Sequence, residues 1–244
     1  MDQMDSMRKA GRMAADILDF IEPHIFPGVT TLDLNNLCHQ YHLEHGAIPA
    51  PLDYHGFPKS ICTSVNHVVC HGIPDGKVLK DGDILNIDVT PIVDGWHGDS
   101  SRMFFIGKPS RKAERLVTAT YDAMMLGIEQ IAPGKHVGDI GHAIEEHAKK
   151  MGYSTVRGYC GHGIGKEFHM DPQIPGCETK SKGPILEPGM FITVEPMLNV
   201  GKDKTKVLSD NWTVVTRDRS LSAQWEHTVA VTETGFEILT LSSK

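Results

Sequence analysis

An α+β domain of two related halves facing each other is the fold class this 244-residue sequence predicts. Three observations lead there: both parts of the chain carry amphipathic helical segments and short β-rich runs, they repeat common marks in one order, and one stretch carries the turn signal of a β-hairpin. Hydrophobic residues make up 40% and charged residues 23%, which is enough apolar material for a core and too much for a disordered chain.

The elements follow in order. A first helix is expected over Asp2 to Ile21. Pro27-Gly28 then turns the chain into a helix from Thr31 to Glu44, with Leu34, Leu37 and Tyr41 at helical spacing and Gly46 suited to a position beyond its end. Asp83 to Ile106 reads as a hairpin about Asp94-Gly95, a dipeptide that favours two-residue turns. In the second half come a helix from Arg111 to Ile131, the turn Pro133-Gly134, and a helix from Gly138 to Lys150 with Ile140, Ala143, Ile144 and His147 at helical spacing, closed by Gly152. The β-rich runs Phe191 to Val194, stopped by Pro196, and Thr228 to Thr232 complete it.

The marks Pro27-Gly28, Asp33-Leu34 and Gly46 recur 106 residues later as Pro133-Gly134, Asp139-Ile140 and Gly152. Gly82 to Asp88 recurs at an offset of 107 as Gly189 to Glu195, each run placing a carboxylate six residues after its glycine. Chance explains one such match better than two in the same order. The chain is therefore expected to be one domain over 1–244, with an internal repeat of roughly 1–106 and 107–244 and a site where the halves meet.

Lysine and arginine number 24 against 31 acidic residues, and a net charge of −7 argues against binding nucleic acid by phosphate neutralisation. No apolar run approaches the length of a membrane span, and charges are scattered through the first twenty residues, so neither a membrane anchor nor a signal peptide is expected. The five cysteines are odd in number and lack a C-x-x-C pair, which excludes a disulfide framework or zinc ribbon and points to the cytoplasm. Histidine is over-represented at 14, more than phenylalanine and tyrosine together, and some are expected to be ligands.

With Asp94-Gly95 as the hairpin loop, Asp88 lies opposite Ser101 and Asp99 becomes its diagonal neighbour on one face. Diagonal residues have Cα atoms about 7–8 Å apart, a gap that bound cations can bridge. Ile84, Leu85, Ile87, Val89 and Ile92 leave little of the strand to solvent, so Asp88 needs a partner charge, and only Arg102 and Lys80 lie nearby in sequence. Glu195 ends one β-rich run and Glu226 opens another. His162 sits in Cys160-Gly161-His162-Gly163-Ile164-Gly165, read as a glycine-rich loop whose backbone can approach a bound group. Asp88, Asp99, His162, Glu195 and Glu226 together give four carboxylates and one imidazole, which would repel one another unless divalent cations cancelled the charge. Oxygen-rich coordination with one nitrogen and no thiolate suits Mn, Fe(II), Co or Zn, and paired metals are a known hydrolytic device.

Cys70-His71-Gly72-Ile73-Pro74, Asn86-Ile87-Asp88-Val89, Gly98-Asp99-Ser100-Ser101, the His162 motif with His169, Val194-Glu195-Pro196-Met197 and Glu226-His227-Thr228 resemble, in this order, the type I methionine aminopeptidases of the short bacterial form. The match extends over essentially the whole chain, and the 33 residues between His162 and Glu195 leave no room for the helical insertion of the type II enzymes. The resemblance implies the pita-bread fold, two pseudo-symmetric halves forming a curved antiparallel sheet covered by helices. It also implies a cytoplasmic, monomeric enzyme that removes initiator methionine from nascent polypeptides, with two divalent metal ions (Co, Mn, Fe or Zn) and a bridging hydroxide attacking the first peptide bond. By the same resemblance Asp88, Asp99, His162, Glu195 and Glu226 are the metal ligands, with Asp99 and Glu226 bridging. Glu195 passes the proton, His169 hydrogen-bonds the scissile carbonyl and His71 contacts the substrate. Tyr54, Phe57, Cys62, Phe168 and Trp212 stand where the family builds its methionine pocket.

The chain departs from the family pattern after His169, where Met170 to Cys177 is expected to form an altered loop, and at Pro51 and Phe57 on the pocket rim. A proline-specific peptidase of the same fold and a non-catalytic binding module stand as alternative readings. The basic stretch with Lys202, Lys204 and Lys206, followed by Arg217 and Arg219, makes the ribosome a candidate partner, with sequence-specific nucleic acid and membrane excluded.

Overall fold

The computed structural model describes residues 2–242 and 244. Four helices are placed close to where the sequence pattern puts them: α1 (Gln3–Ile21), α2 (Thr31–Glu44), α3 (Arg111–Ile128) and α4 (Val137–Met151). α1 buries Met7, Ala10, Ala14, Ile17, Leu18 and Ile21, a stripe at three- and four-residue spacing. α2 starts at a capping box, in which the Asp33 amide donates to Thr30 Oγ1 (3.1 Å) and the Thr30 amide to Asp33 Oδ2 (3.1 Å). α3 is capped by the Ser110 hydroxyl, which accepts from the Ala113 amide, and α4 ends at Gly152 in the left-handed region at φ 79°.

The hairpin forms as its turn dipeptide dictates. Asp94 (φ 51°) and Gly95 (φ 79°) both take positive φ, the requirement of the tight turn whose twist matches paired strands. The register runs from Val93 opposite Trp96 and Ile92 opposite His97 to Asp88 opposite Ser101 and Ile84 opposite Phe105. Cys62–Val65 adds a third strand on the other side of Ile84–Val89, with Cys62 opposite Asp88. Arg102, a neighbour of Asp88 in sequence, faces away from it and pairs with Asp19 of α1 at 2.8 Å.

In the second half, Met170–Pro175, Cys160–Gly163, Phe191–Val194, His227–Val231 and Phe236–Ile238 form an antiparallel sheet in that order. Two expectations are corrected here. Met170–Pro175 is an edge strand rather than a loop: its prolines are tolerated because an edge leaves amide positions unpaired, and Ile174 anchors it in the core. Cys160–Gly163 is likewise a strand, and its glycines serve strand packing. A Cβ on Gly161 would stand 2.3 Å from the Thr193 carbonyl oxygen and one on Gly163 2.3 Å from that of Asp171, so neither position has room for a side chain.

One apolar core gathers α1, α2 and the first-half strands around Ile17, Leu34, Leu85, Ile87 and Phe104, and another gathers α3, α4 and the second-half strands around Leu116, Ile140, Ile192 and Val229. The two sheets are sewn together at one antiparallel bridge between Ser101 and Glu226, where the Glu226 amide donates to the Ser101 carbonyl at 3.1 Å. Two residues further along each strand, the Asp99 amide donates to Thr228 Oγ1 (3.1 Å) and the Thr228 hydroxyl returns a bond to the Asp99 carbonyl (2.7 Å). This seam sets the geometry of the site.

A buried imidazole gives the fold a pH dependence of its own. His42 of α2 is 0% exposed, its Nδ1 lies 2.7 Å from the Cys38 carbonyl and its Nε2 has no partner, so burial pulls its pKa down to about 4. An unfolded histidine titrates near 6.5, so below that pH the unfolded chain gains a proton the folded chain refuses. Stability is therefore expected to fall between pH 6.5 and 4, His42 contributing on the order of 2–3 kcal/mol of that loss. Urea unfolding at pH 7 and pH 4.5 should show a smaller difference in His42→Leu than in the parent; parallel losses would remove His42 as a source.

Candidate metal centre

One cavity of about 400 Å³ opens between the halves, and all twelve residues singled out from the sequence line it: His71, Asp88, Asp99, His162, His169, Glu195 and Glu226, together with Tyr54, Phe57, Cys62, Phe168 and Trp212. The hairpin supplies Asp88 near the end of Ile84–Val89 and Asp99 just ahead of Ser100–Phe105. The second-half sheet supplies His162 from Cys160–Gly163, Glu195 just beyond Phe191–Val194 and Glu226 just before His227–Val231.

Ligating atoms of Asp99, His162 and Glu226 all lie within 4.8 Å of one another, and all three residues are buried. His162 Nε2 is 3.6 Å from Asp99 Oδ2 and 3.6 Å from Glu195 Oε1. Asp88 faces the same space. No lysine or arginine lines the cavity among the described residues. Burial and the charges of Asp99 and Glu195 push Asp88 well above the usual carboxylate range, and burial with the adjoining carboxylates does the same to Glu226. Glu195 is raised to about 7 by burial, offset in part by His162. Burial lowers His162, yet its hydrogen bond to Asp99 and the charges of Glu195 and Asp99 prevail and bring it to about 9.

This donor set fits divalent cations. His162 Nδ1 donates to the Gly163 carbonyl (2.9 Å), which fixes the ring and turns Nε2 toward the carboxylates, the usual arrangement of a metal-binding imidazole. Supporting hydroxyls hold the oxygens in place: Thr90 donates to Asp99 Oδ1 (2.9 Å) and Thr193 to Glu195 Oε1 (3.0 Å), while Thr193 Oγ1 accepts the His162 amide (3.0 Å). Gln224 Nε2 donates to Glu195 Oε2 (3.3 Å). The sequence reading missed Thr90, Thr193 and Gln224. Thr193 alone carries a local signal, a polar side chain between Ile192 and Val194 in a strand otherwise apolar.

The remaining wall is apolar and aromatic. Phe57 meets Trp212 edge to face at 5.2 Å, and Tyr54 packs on Phe168 at 4.9 Å. Burial and the neighbouring Asp88 drive the Cys62 thiol far up, which keeps it protonated in the absence of cations. His71 has φ 56°, a left-handed conformation uncommon outside glycine, and such strain gathers at functional sites. Desolvation by the surrounding rings, with the His162 charge, pulls His169 down to about 4.

The two-halved fold surrounds a buried carboxylate–imidazole cluster suited to divalent cations, and residues 5–233 match the metallopeptidase family M24. The methionine aminopeptidase of Rickettsia prowazekii is 60% identical over 240 residues, 98% of this chain and 92% of that protein. A crystal structure of methionine aminopeptidase from Rickettsia prowazekii superimposes with a TM-score of 0.97 at 58% identity, covering 98% of this chain and 97% of that one. The prolidase of Pyrococcus furiosus, at 21% identity, TM-score 0.80 and 64% coverage of its own chain, shares the fold alone. This chain belongs to family M24, within its methionine aminopeptidases, and its fold is the pita-bread arrangement.

The raised pKa values have a sign that can be measured. Glu195 and His162 hold protons in the folded protein that the unfolded chain has already lost, so without cations they favour folding at low pH and cease to do so as pH rises toward 7 and 9. Bound cations require deprotonated ligands and bind more tightly as pH rises. The gain in Tm from a saturating divalent cation should therefore widen from pH 6.5 to 9; a constant gain would show that these side chains do not hold it.

Proposed function

We propose that this chain is a methionyl aminopeptidase that removes the initiator methionine from nascent polypeptides, using two divalent cations drawn from Co, Mn, Fe or Zn. The observation that carries this reading is the cluster of Asp88, Asp99, His162, Glu195 and Glu226 at one end of an apolar cavity of about 400 Å³. Four carboxylates accommodate more positive charge than a single divalent ion brings, which supports two. Asp99, at the seam between the halves, and Glu226, beside it, would hold the cations together with Asp88, His162 and Glu195. Bound there, the cations would lower the pKa of a water molecule and stabilise the negative charge developing on the carbonyl oxygen.

The side chains then divide the remaining work. Glu195 takes a proton at its carboxylate from the attacking water and delivers it to the departing amine. His169 hydrogen-bonds the carbonyl oxygen of the scissile bond, and His71 contacts the substrate near its amide. The methionine side chain fills the space between Tyr54, Phe57, Cys62, Phe168 and Trp212, where aromatic edges and a neutral thiol suit a thioether. Residues 1–244 act as one catalytic unit with an internal repeat of roughly 1–106 and 107–244, as a cytoplasmic monomer. No helix among the described residues is long and apolar enough to cross a membrane.

Methionine release from Met-Ala and Met-Gly peptides, stimulated by divalent cations, is the test. Asp99→Ala should abolish both cation uptake and hydrolysis. Cleavage of X-Pro peptides with Met-Ala untouched would transfer the chain to the proline-specific peptidases, and cation binding without hydrolysis would make it a binding module.

The ribosome is proposed as a partner through the basic hairpin. Lys202, Lys204 and Lys206 are exposed, and the bond from the Arg217 amide to the Lys204 carbonyl (2.9 Å) brings the second basic pair alongside the first. Changing all three lysines to glutamate should reduce co-sedimentation with ribosomes while leaving peptide hydrolysis intact; undiminished co-sedimentation would rule the hairpin out.

A further inference from the structure

The Tyr54 hydroxyl lies 2.8 Å from Nδ1 of His169. The contact joins the two halves across the cavity: Tyr54 comes from the short turn Tyr54–Gly56, and His169 is the residue just before Met170–Pro175. A neutral imidazole has one proton for two ring nitrogens, and the partner of one nitrogen decides what the other can do. A tyrosine hydroxyl can play either part, donating to a bare Nδ1 or accepting from a protonated one. The two cases leave Nε2 with opposite properties.

We propose that Tyr54 is a positioning residue: its hydroxyl donates to Nδ1 of His169 and holds that ring as the Nε2–H tautomer, so that the free nitrogen offers a hydrogen to the substrate carbonyl. This rests on the reading of His169 as the carbonyl's hydrogen-bond donor. With the proton on Nδ1 instead, Nε2 would present a lone pair to an oxygen that is itself an acceptor.

The surroundings are built to keep the hydroxyl where it is. Asp53 (φ 65°) and His55 (φ 47°) on either side of Tyr54 both adopt the left-handed conformation, and neither is glycine. Strain of this kind persists where neighbouring bonds over-determine the chain. Here the Asp53 amide donates to the Phe57 carbonyl (2.8 Å), the Phe57 amide to the Tyr54 carbonyl (2.9 Å) and the Tyr54 amide to the Pro51 carbonyl (3.1 Å). His169 is held from its face by Phe168, stacked at 4.0 Å with 20° between the planes, and Phe168 in turn packs on the Tyr54 ring. Ring packing fixes where the imidazole lies. Among the described residues, the Tyr54 hydroxyl is the one hydrogen-bond partner that tells its two nitrogens apart.

Tyr54→Phe keeps the ring and removes the hydroxyl. In full-length protein labelled with ¹⁵N-histidine, with and without Zn²⁺, the His169 signals can be assigned by their loss in His169→Ala. The parent should show an unprotonated Nδ1 and a protonated Nε2, and Tyr54→Phe should show a mixture in which Nδ1–H is well represented. A parent ring protonated mainly on Nδ1, or one tautomer shared by both proteins, would overturn the proposal. For a Met-Ala peptide, kcat should fall about tenfold in Tyr54→Phe with KM changed less than about twofold, the loss of one oriented hydrogen bond in the transition state. A raised KM with kcat preserved would mean that Tyr54 is only pocket wall, against the proposal. Failure of the parent reading is separately visible: His169→Ala with undiminished kcat would remove His169 from the reaction, whereas the ring-nitrogen signals alone decide what Tyr54 does to it.

Discussion

Negative charge that cannot escape to water is the constraint on which this structure turns. Asp88, Asp99, Glu195 and Glu226 face a common cavity whose described lining includes neither lysine nor arginine, and His162 is the one ring placed among their oxygens. An isolated buried carboxylate costs several kcal/mol or takes up a proton instead, and the raised pKa values of Asp88, Glu195 and Glu226 are that second outcome. A fold that left these side chains mobile would let them swing outward. The hydroxyls of Thr90 and Thr193 and the amide of Gln224 hold individual oxygens, while the Ser101–Glu226 bridge and the paired bonds between Asp99 and Thr228 hold the strands that carry them. The arrangement is preorganised for cations because these bonds hold the oxygens in place before any cation binds.

How much of this is legible in the sequence depends on how local the determining interaction is. The hairpin register is readable from Asp94-Gly95, since a two-residue loop leaves one way to pair the flanking strands, and Asp88 therefore falls opposite Ser101 as expected. Helix boundaries follow caps and glycines and are right to within a few residues; α3 stops at Ile128 rather than Ile131 because the chain is already turning toward Pro133. That Glu195 and Glu226 come to Asp88 and Asp99 is not local. It depends on a bridge between residues 125 positions apart, which no periodicity encodes; charge balance suggests the grouping, and the roles of its members rest on family resemblance.

The misread segments have the same origin. Met170–Pro175 holds two prolines and an aspartate and looks like a loop, and only its place at a sheet edge makes those residues admissible in a strand. Gly161 and Gly163 suggest freedom of movement, whereas the backbone of neighbouring strands has taken the space their side chains would need. Thr193 is a good strand former by any scale, so its bonds to His162 and Glu195 leave no trace in propensity.

The two halves solve the same problem with different connections, and the difference builds the substrate pocket. In the first half the strands bearing Asp88 and Asp99 are joined by the tight hairpin. In the second, the strands flanked by Glu195 and Glu226 are separated by a long excursion through Met197–Asn199, Thr205–Val207, Val214–Thr216 and Ser222–Gln224. Val214–Thr216 pairs with Thr205–Val207 on one side and, on the other, crosses to Val68–Cys70 of the first half, Val214 opposite Cys70. That pairing brings Trp212, two residues before Val214, beside Phe57 and within 6.2 Å of His71, the residue after Cys70. The site thus depends on two separate seams between the halves, one at Ser101 and Glu226 that gathers the carboxylates and one at Cys70 and Val214 that closes the aromatic wall. Because they share no hydrogen bond, the wall that selects a side chain can vary through Thr205–Val207 and Val214–Thr216 while Ser222–Gln224, whose Gln224 donates to Glu195 Oε2, stays fixed to the residues that hold charge.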